Sequence, residues 1–148
     1  MARPLAHLVV STGLATLQWI QTGRLAPTIA PLISGFLIDG DHLVDFARYQ
    51  ASGRKSEGRI VLPLHGWEYA ILLFLVRRIL GKQIIDGLLL GYVGHLVVDQ
   101  ITNTTTHPLT YFLSFRWWRG FPSNLFTHTS EAHVDWMNGS LTELWKHF

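Results

Sequence analysis

The 148-residue chain has no cysteine, which excludes disulfides, thiolate metal sites and cysteine nucleophiles. Any metal it holds must rest on nitrogen and oxygen. Charge is scarce too: Asp, Glu, Lys and Arg make up 15% of the residues, against a usual share of about 25%. The formal net charge of +2 comes from scattered basic residues, so the clustered basic face of a nucleic-acid binder is missing. Comfortable membrane-spanning runs are also lacking. A bilayer core asks for about 20 apolar residues per helix, and the four apolar runs here cover roughly 14 to 18. No clear signal-peptide cleavage pattern follows the N-terminal apolar run, which His7 interrupts, so that segment is expected to be retained.

Set against these absences are a hydrophobic share of 48%, a positive mean hydropathy and eight histidines. The length suits one domain spanning 1–148, with a helical core over 5–105 and an interfacial and tail segment over 106–148. Leu5 to Ile20 is almost wholly apolar or small and meets a stop at Thr22-Gly23-Arg24, which predicts a first helix. Prolines 27 and 31 open a second apolar helix that runs into Asp39-Gly40-Asp41-His42 and ends there in charge. Arg48 to Arg59 reads as a polar loop. A third helix is expected from His65 to Leu80 and a fourth from Ile84 to Ile101. Leu109 to Trp118, with paired tryptophans beside arginines, suits a short helix at a membrane interface, followed by a polar tail.

The expected fold is therefore all-α: a membrane-embedded up-and-down bundle of about four helices. A soluble all-helical domain is the competing reading, and apolar residues on every side of helices three and four argue against it. Short connections make neighbouring helices antiparallel. His7 then lies at the same end as Asp39, Asp41, His42, His65, Glu68, His95 and Asp99, whereas Arg24, Arg77, Arg78 and Lys82 mark the other end. His95 and Asp99 are four apart on one helical face and can grip one ion, and His65 with Glu68 and Asp41 with His42 form further pairs. An ionisable group near hydrocarbon costs at least about 2.5 to 3.5 kcal/mol, which a metal or mutual pairing offsets. Imidazole and carboxylate together suit zinc, manganese or iron in the +2 state. Asp45 reads as solvated, and His107, His128 and His133 are left outside the site.

The order His7, Asp39-Gly40-Asp41-His42, Leu64-His65-Gly66 and Gly91-Tyr92-Val93-Gly94-His95-Leu96-Val97-Val98-Asp99 resembles the bacterial LexA-regulated, membrane-bound, metal-dependent hydrolase family, over residues 5 to 105. That family's elements are a histidine in the first helix, Pro-Asp-x-Asp-His, Thr-His-Ser and Gly-Tyr-x-x-His-x-x-x-Asp. Here Ile38 stands in place of the proline, and Leu64 and Gly66 flank His65. More loosely, the order is similar to the zinc-dependent phospholipase C and single-strand nuclease superfamily. That likeness implies phosphoester hydrolysis with His7, Asp41, His65, His95 and Asp99 as ligands, although the further His-x-x-x-Glu pair of those enzymes has no clear counterpart.

The resulting expectation is a hydrolase of phosphoester or other ester bonds, using a metal-activated water, with His7, Asp41, His42, His65, His95 and Asp99 on the metal. Asp39 or Glu68, whichever is not a ligand, serves as general base or orients a histidine. The expected location is a multi-pass inner membrane of bacterial or archaeal type, with membrane lipid as partner. Arg48, Arg54, Lys55 and Arg59 are placed to hold a substrate phosphate. The alternative is a non-catalytic metal-binding or transport-associated membrane protein using the same residues.

Overall fold

The computed structural model describes residues 4–51 and 59–126, and it is all-α apart from one isolated bridge between Arg59 and Pro122. Helix α1 (Pro4–Thr22) stops at Gly23, whose positive φ lets its N–H reach back to the Trp19 carbonyl. Helix α2 (Leu25–Leu37) returns beside it. The sequence predicts an end at the acidic cluster, but the backbone only tightens into a 3₁₀ turn over Ile38–Asp41 and resumes as α3 (His42–Ala51). Arg48 is consequently helical, while Arg54 and Lys55 lie outside the described residues. Helix α4 (Trp67–Val76) starts two residues later than expected, so His65 precedes it. Helix α5 (Lys82–Thr102) begins at Gly81, and a 3₁₀ turn over Pro108–Tyr111 leads into the short α6 (Leu113–Trp118).

Helices α1, α2 and α5 pack mutually, and α4 lies along α5. The surfaces that make this trio close are small or polar. Helix α1 buries His7, Ser11, Ala15 and Gln18, while α2 buries Pro27, Ala30, Pro31, Ser34 and Gly35. At Gly91 of α5 a Cβ would collide with the Pro31 carbonyl and the Ser34 hydroxyl, so only glycine permits this separation of α2 and α5. Large apolar side chains point the other way: Val9, Ile20, Leu75, Ile79 and Ile101 are each more than 60% exposed. Among the described residues α5 alone is long and apolar enough to cross a membrane, and 39% of its apolar window is buried inside the protein.

The larger apolar core sits at one end of the trio. Ile38, Ile60, Leu62, Ala70, Tyr92, Leu96, Tyr111, Leu125 and Phe126 form it together. The chain from residue 106 joins this core. Up to Phe126 it is no peripheral tail: Thr110, Tyr111, Arg116, Leu125 and Phe126 are buried against α5 and the chain around residue 60. One side of α6 thus faces the core, while Trp117 and Trp118 face outward. His128 and His133 lie outside the described residues.

Candidate metal centre

The up-and-down course brings the start of α1, the end of α2 and the C-terminal half of α5 to one place. The opposite end is marked by Arg24 bonding Gln83 and by Arg77 lying 3.8 Å from Asp86. His7, Asp41, His65, His95 and Asp99 are all buried at the first end, His42 is nearly so, and Asp39 keeps 39% of its side chain exposed. Overlapping sets of these residues (His7, His95 and Asp99; Asp39, His65 and His95; Asp41, His42 and His65) place ligand atoms close enough to hold a metal ion.

Hydrogen bonding decides which atoms are available. His95 Nδ1 lies 2.8 Å from the Gly35 carbonyl, which can only accept, so Nδ1 carries the proton. His65 Nδ1 lies 3.0 Å from Asp41 Oδ2 and donates to that carboxylate. Each ring therefore turns Nε2 inward, and the two Nε2 atoms face each other at 3.2 Å. Asp99 Oδ2 is 3.2 Å from His65 Nε2 and 3.4 Å from His95 Nε2. Asp39 Oδ1 is 3.7 Å and 3.4 Å from the same two atoms. With neutral imidazoles these four atoms are all acceptors, and such a cluster calls for a cation.

The spacing fits one. A tetrahedral ion with ligands at about 2.0–2.1 Å holds its donor atoms about 3.3 Å apart. The five separations just given run from 3.2 to 3.7 Å. In the metal-free protein burial disfavours a charged His65, yet Asp39, Asp41 and Asp99 outweigh it and raise its pKa well above the ordinary value, so a proton on Nε2 balances the carboxylates where an ion would otherwise do so. Burial likewise acts to raise the Asp39 pKa, and in the metal-free protein the rings of His65 and His95, protonated and facing it, overcome that and hold the group below the usual carboxylate range.

The other expected residues surround this group. Asp41 sits behind His65, and its remaining oxygen, Oδ1, is buried without a hydrogen-bond partner among the described residues. His7 stacks on His95 with ring centroids 3.9 Å apart, and its Nε2 is 3.4 Å from Asp99 Oδ1. His42 Nε2 is 3.7 Å from Asp39 Oδ1. Glu68 is not brought in. Its carboxylate accepts from the N–H groups of Leu113 and Ser114 and from the Ser114 hydroxyl, capping the start of α6.

His65 reaches the centre on an irregular strap, residues 59–66, whose backbone groups are paired mainly with side chains. Asp45 accepts from the N–H groups of Val61 and Leu62, and Asp41 from that of Leu64. Asp45 is thus buried, not solvated as the sequence suggests. The Tyr92 hydroxyl donates toward the carbonyls of Leu64 and Gly66, and Arg116 donates to those of Val61, Leu62 and His65. Asn103 holds Asp99 Oδ1 at 3.0 Å and the Tyr111 hydroxyl at 2.7 Å. The i,i+4 spacings Asp41–Asp45 and Asp99–Asn103 are sequence signals that could have found two of these partners. Nothing local marks Arg116. Comparison with family models, curated proteins and solved structures finds no match.

Proposed function

We propose that this protein is a membrane-embedded, metal-dependent hydrolase of phosphoester or other ester bonds. His65, His95, Asp39 and Asp99 hold a divalent ion, with zinc in first place and manganese or iron as alternatives. The observation that carries the reading is the pair of inward Nε2 atoms with a carboxylate oxygen of Asp99 and one of Asp39 each 3.2 to 3.7 Å from both. An ion there supplies Lewis acidity to an attacking water and to an ester oxygen. Asp41 fixes the tautomer and ring orientation of His65, and the Gly35 carbonyl does the same for His95. Asp39 is the exposed donor of the four, so water and substrate arrive on its side. His7, stacked on His95 and close to Asp99, adds a further donor beside the central group.

Membrane residence rests on the distribution of side chains: small and polar residues between helices, large apolar ones outside. A polar centre near one end of such a bundle suits an ester presented at the lipid surface. One observation favours a second reading, a non-catalytic metal-binding protein of the same membrane. Four protein donors close a tetrahedral site, as in structural zinc centres, and catalysis then requires Asp39 to yield its place or the ion to add a ligand.

The test is elemental analysis of detergent-purified protein beside His95→Ala and Asp99→Ala variants that stay helical by circular dichroism, followed by assay on phosphomonoesters, phosphodiesters and carboxylic esters. Near-stoichiometric metal lost in both variants, together with hydrolysis by the wild type, is expected. Absence of metal overturns the reading, and bound metal without hydrolysis of any of these esters selects the non-catalytic alternative.

A further inference from the structure

Arg116 is the bulkiest side chain to be completely buried, on a six-residue helix that sequence patterning assigns to an interface. A guanidinium removed from water needs its donors satisfied. Here the acceptors are main-chain carbonyls: Nη1 reaches Val61 at 2.6 Å, and Nη2 reaches Leu62 at 3.0 Å and His65, while Nε has no partner among the described residues. All three belong to the strap that delivers His65. The strap is also strained, because Leu62 adopts φ 40°, a left-handed value that a leucine rarely takes. Asp45 holds the N–H of Leu62 and Arg116 holds its carbonyl, so the unfavourable residue is gripped from both sides. At His65 the ring is fixed by Asp41 through Nδ1, and the backbone is fixed by Arg116 through the carbonyl.

We infer that Arg116 is a positioning residue for His65: by clamping the carbonyls of Val61, Leu62 and His65 it holds the strap where His65 Nε2 meets the central donor group. The inference rests on the metal-centre reading above. It also ties α6, with its exposed Trp117 and Trp118, to the centre through one side chain.

The experiment titrates detergent-purified wild type, Arg116→Lys, Arg116→Gln, His65→Ala and the Arg116→Lys/His65→Ala double variant with Co²⁺, following the visible d–d band, with helicity checked by circular dichroism. Arg116→Lys is expected to bind Co²⁺ about ten- to a hundredfold more weakly, the usual effect of removing a support behind a ligand, with an altered band. In the His65→Ala background the same change should produce no further loss, because its effect runs through His65. Arg116→Gln, which is shorter and loses the charge, should bind Co²⁺ at least as weakly as Arg116→Lys. Wild-type affinity and band in both Arg116 variants overturn the inference. So does an equal loss with and without His65, or failure of both Arg116 variants to fold, since either assigns Arg116 to general stability. If the wild type itself binds no Co²⁺, the metal-centre reading fails and this inference falls with it, whereas binding without coupling to His65 removes this inference alone.

Discussion

Asp41 and Glu68 show how two carboxylates from one candidate set come to do different work. Asp41 receives the N–H of Leu64 and the Nδ1 proton of His65, so it both fixes the strap and raises the basicity of the His65 ring. Asp41→Asn preserves size but removes the charge and offers one acceptor oxygen in place of two. The expected result is metal affinity lower by about ten- to a hundredfold, read by titration against a competing chelator. Glu68 instead caps α6. Burial acts to raise its pKa, and bonds from Ser114 and Leu113 outweigh that and lower it from 4.5. A depressed carboxylate contributes stability that is fully present above the unfolded value and is lost as pH falls through the folded one. The stability difference between wild type and Glu68→Gln should therefore be about 1 kcal/mol at neutral pH, in the range of a partly exposed cap, and should shrink below pH 4.5 in thermal unfolding.

At the scale of elements, the strap over residues 59–66 holds the centre together, although it has no regular hydrogen-bond ladder of its own. The N–H groups of Val61, Leu62 and Leu64 are served by Asp45 and Asp41, and carbonyls along the strap by Tyr92 and Arg116. Asp45→Ala would leave the N–H groups of Val61 and Leu62 without their acceptor in a buried place. The expected cost is about 3 kcal/mol, measured as loss of unfolding free energy in metal-free protein, with weaker metal binding as a second effect. Helices α2 and α5 were legible from their apolar runs and stops. The strap was not, since Pro63-Leu64-His65-Gly66 carries no periodicity and its partners come from α3, α5 and α6. For the same reason the expected pairing of His65 with Glu68 failed. With the helix starting at Trp67, the two residues no longer share a helical face, and they serve different parts of the molecule.

For the whole molecule, the apolar exterior sets the expected behaviour. Residues such as Ile20, Ile79, Ile101 and Trp118 are more than 70% exposed, while imidazoles and carboxylates are buried beside the apolar core. Among the described residues many large apolar side chains are exposed, and contiguous apolar surface of that kind marks a membrane or protein contact. The chain is expected to sediment with membranes, to resist high-salt and alkaline carbonate washes, and to need detergent for release. Recovery in the wash would show instead that another protein surface covers the apolar shell.

The sequence by itself determined the helical class, the stops at Gly23 and Gly81, and the gathering of His7, Asp39, Asp41, His42, His65, His95 and Asp99 at one end. Each of these follows from local patterning combined with antiparallel connection. Only the tertiary structure decided that Asp39 joins the central donors, that Asp41 stands behind His65, that Glu68 leaves for α6, and that Asp45 and Arg116 hold the strap. Those roles depend on which ring nitrogen is already bonded and on which backbone groups lack a helical partner. Both are set by contacts across 16 to 60 residues of chain, which no local pattern encodes.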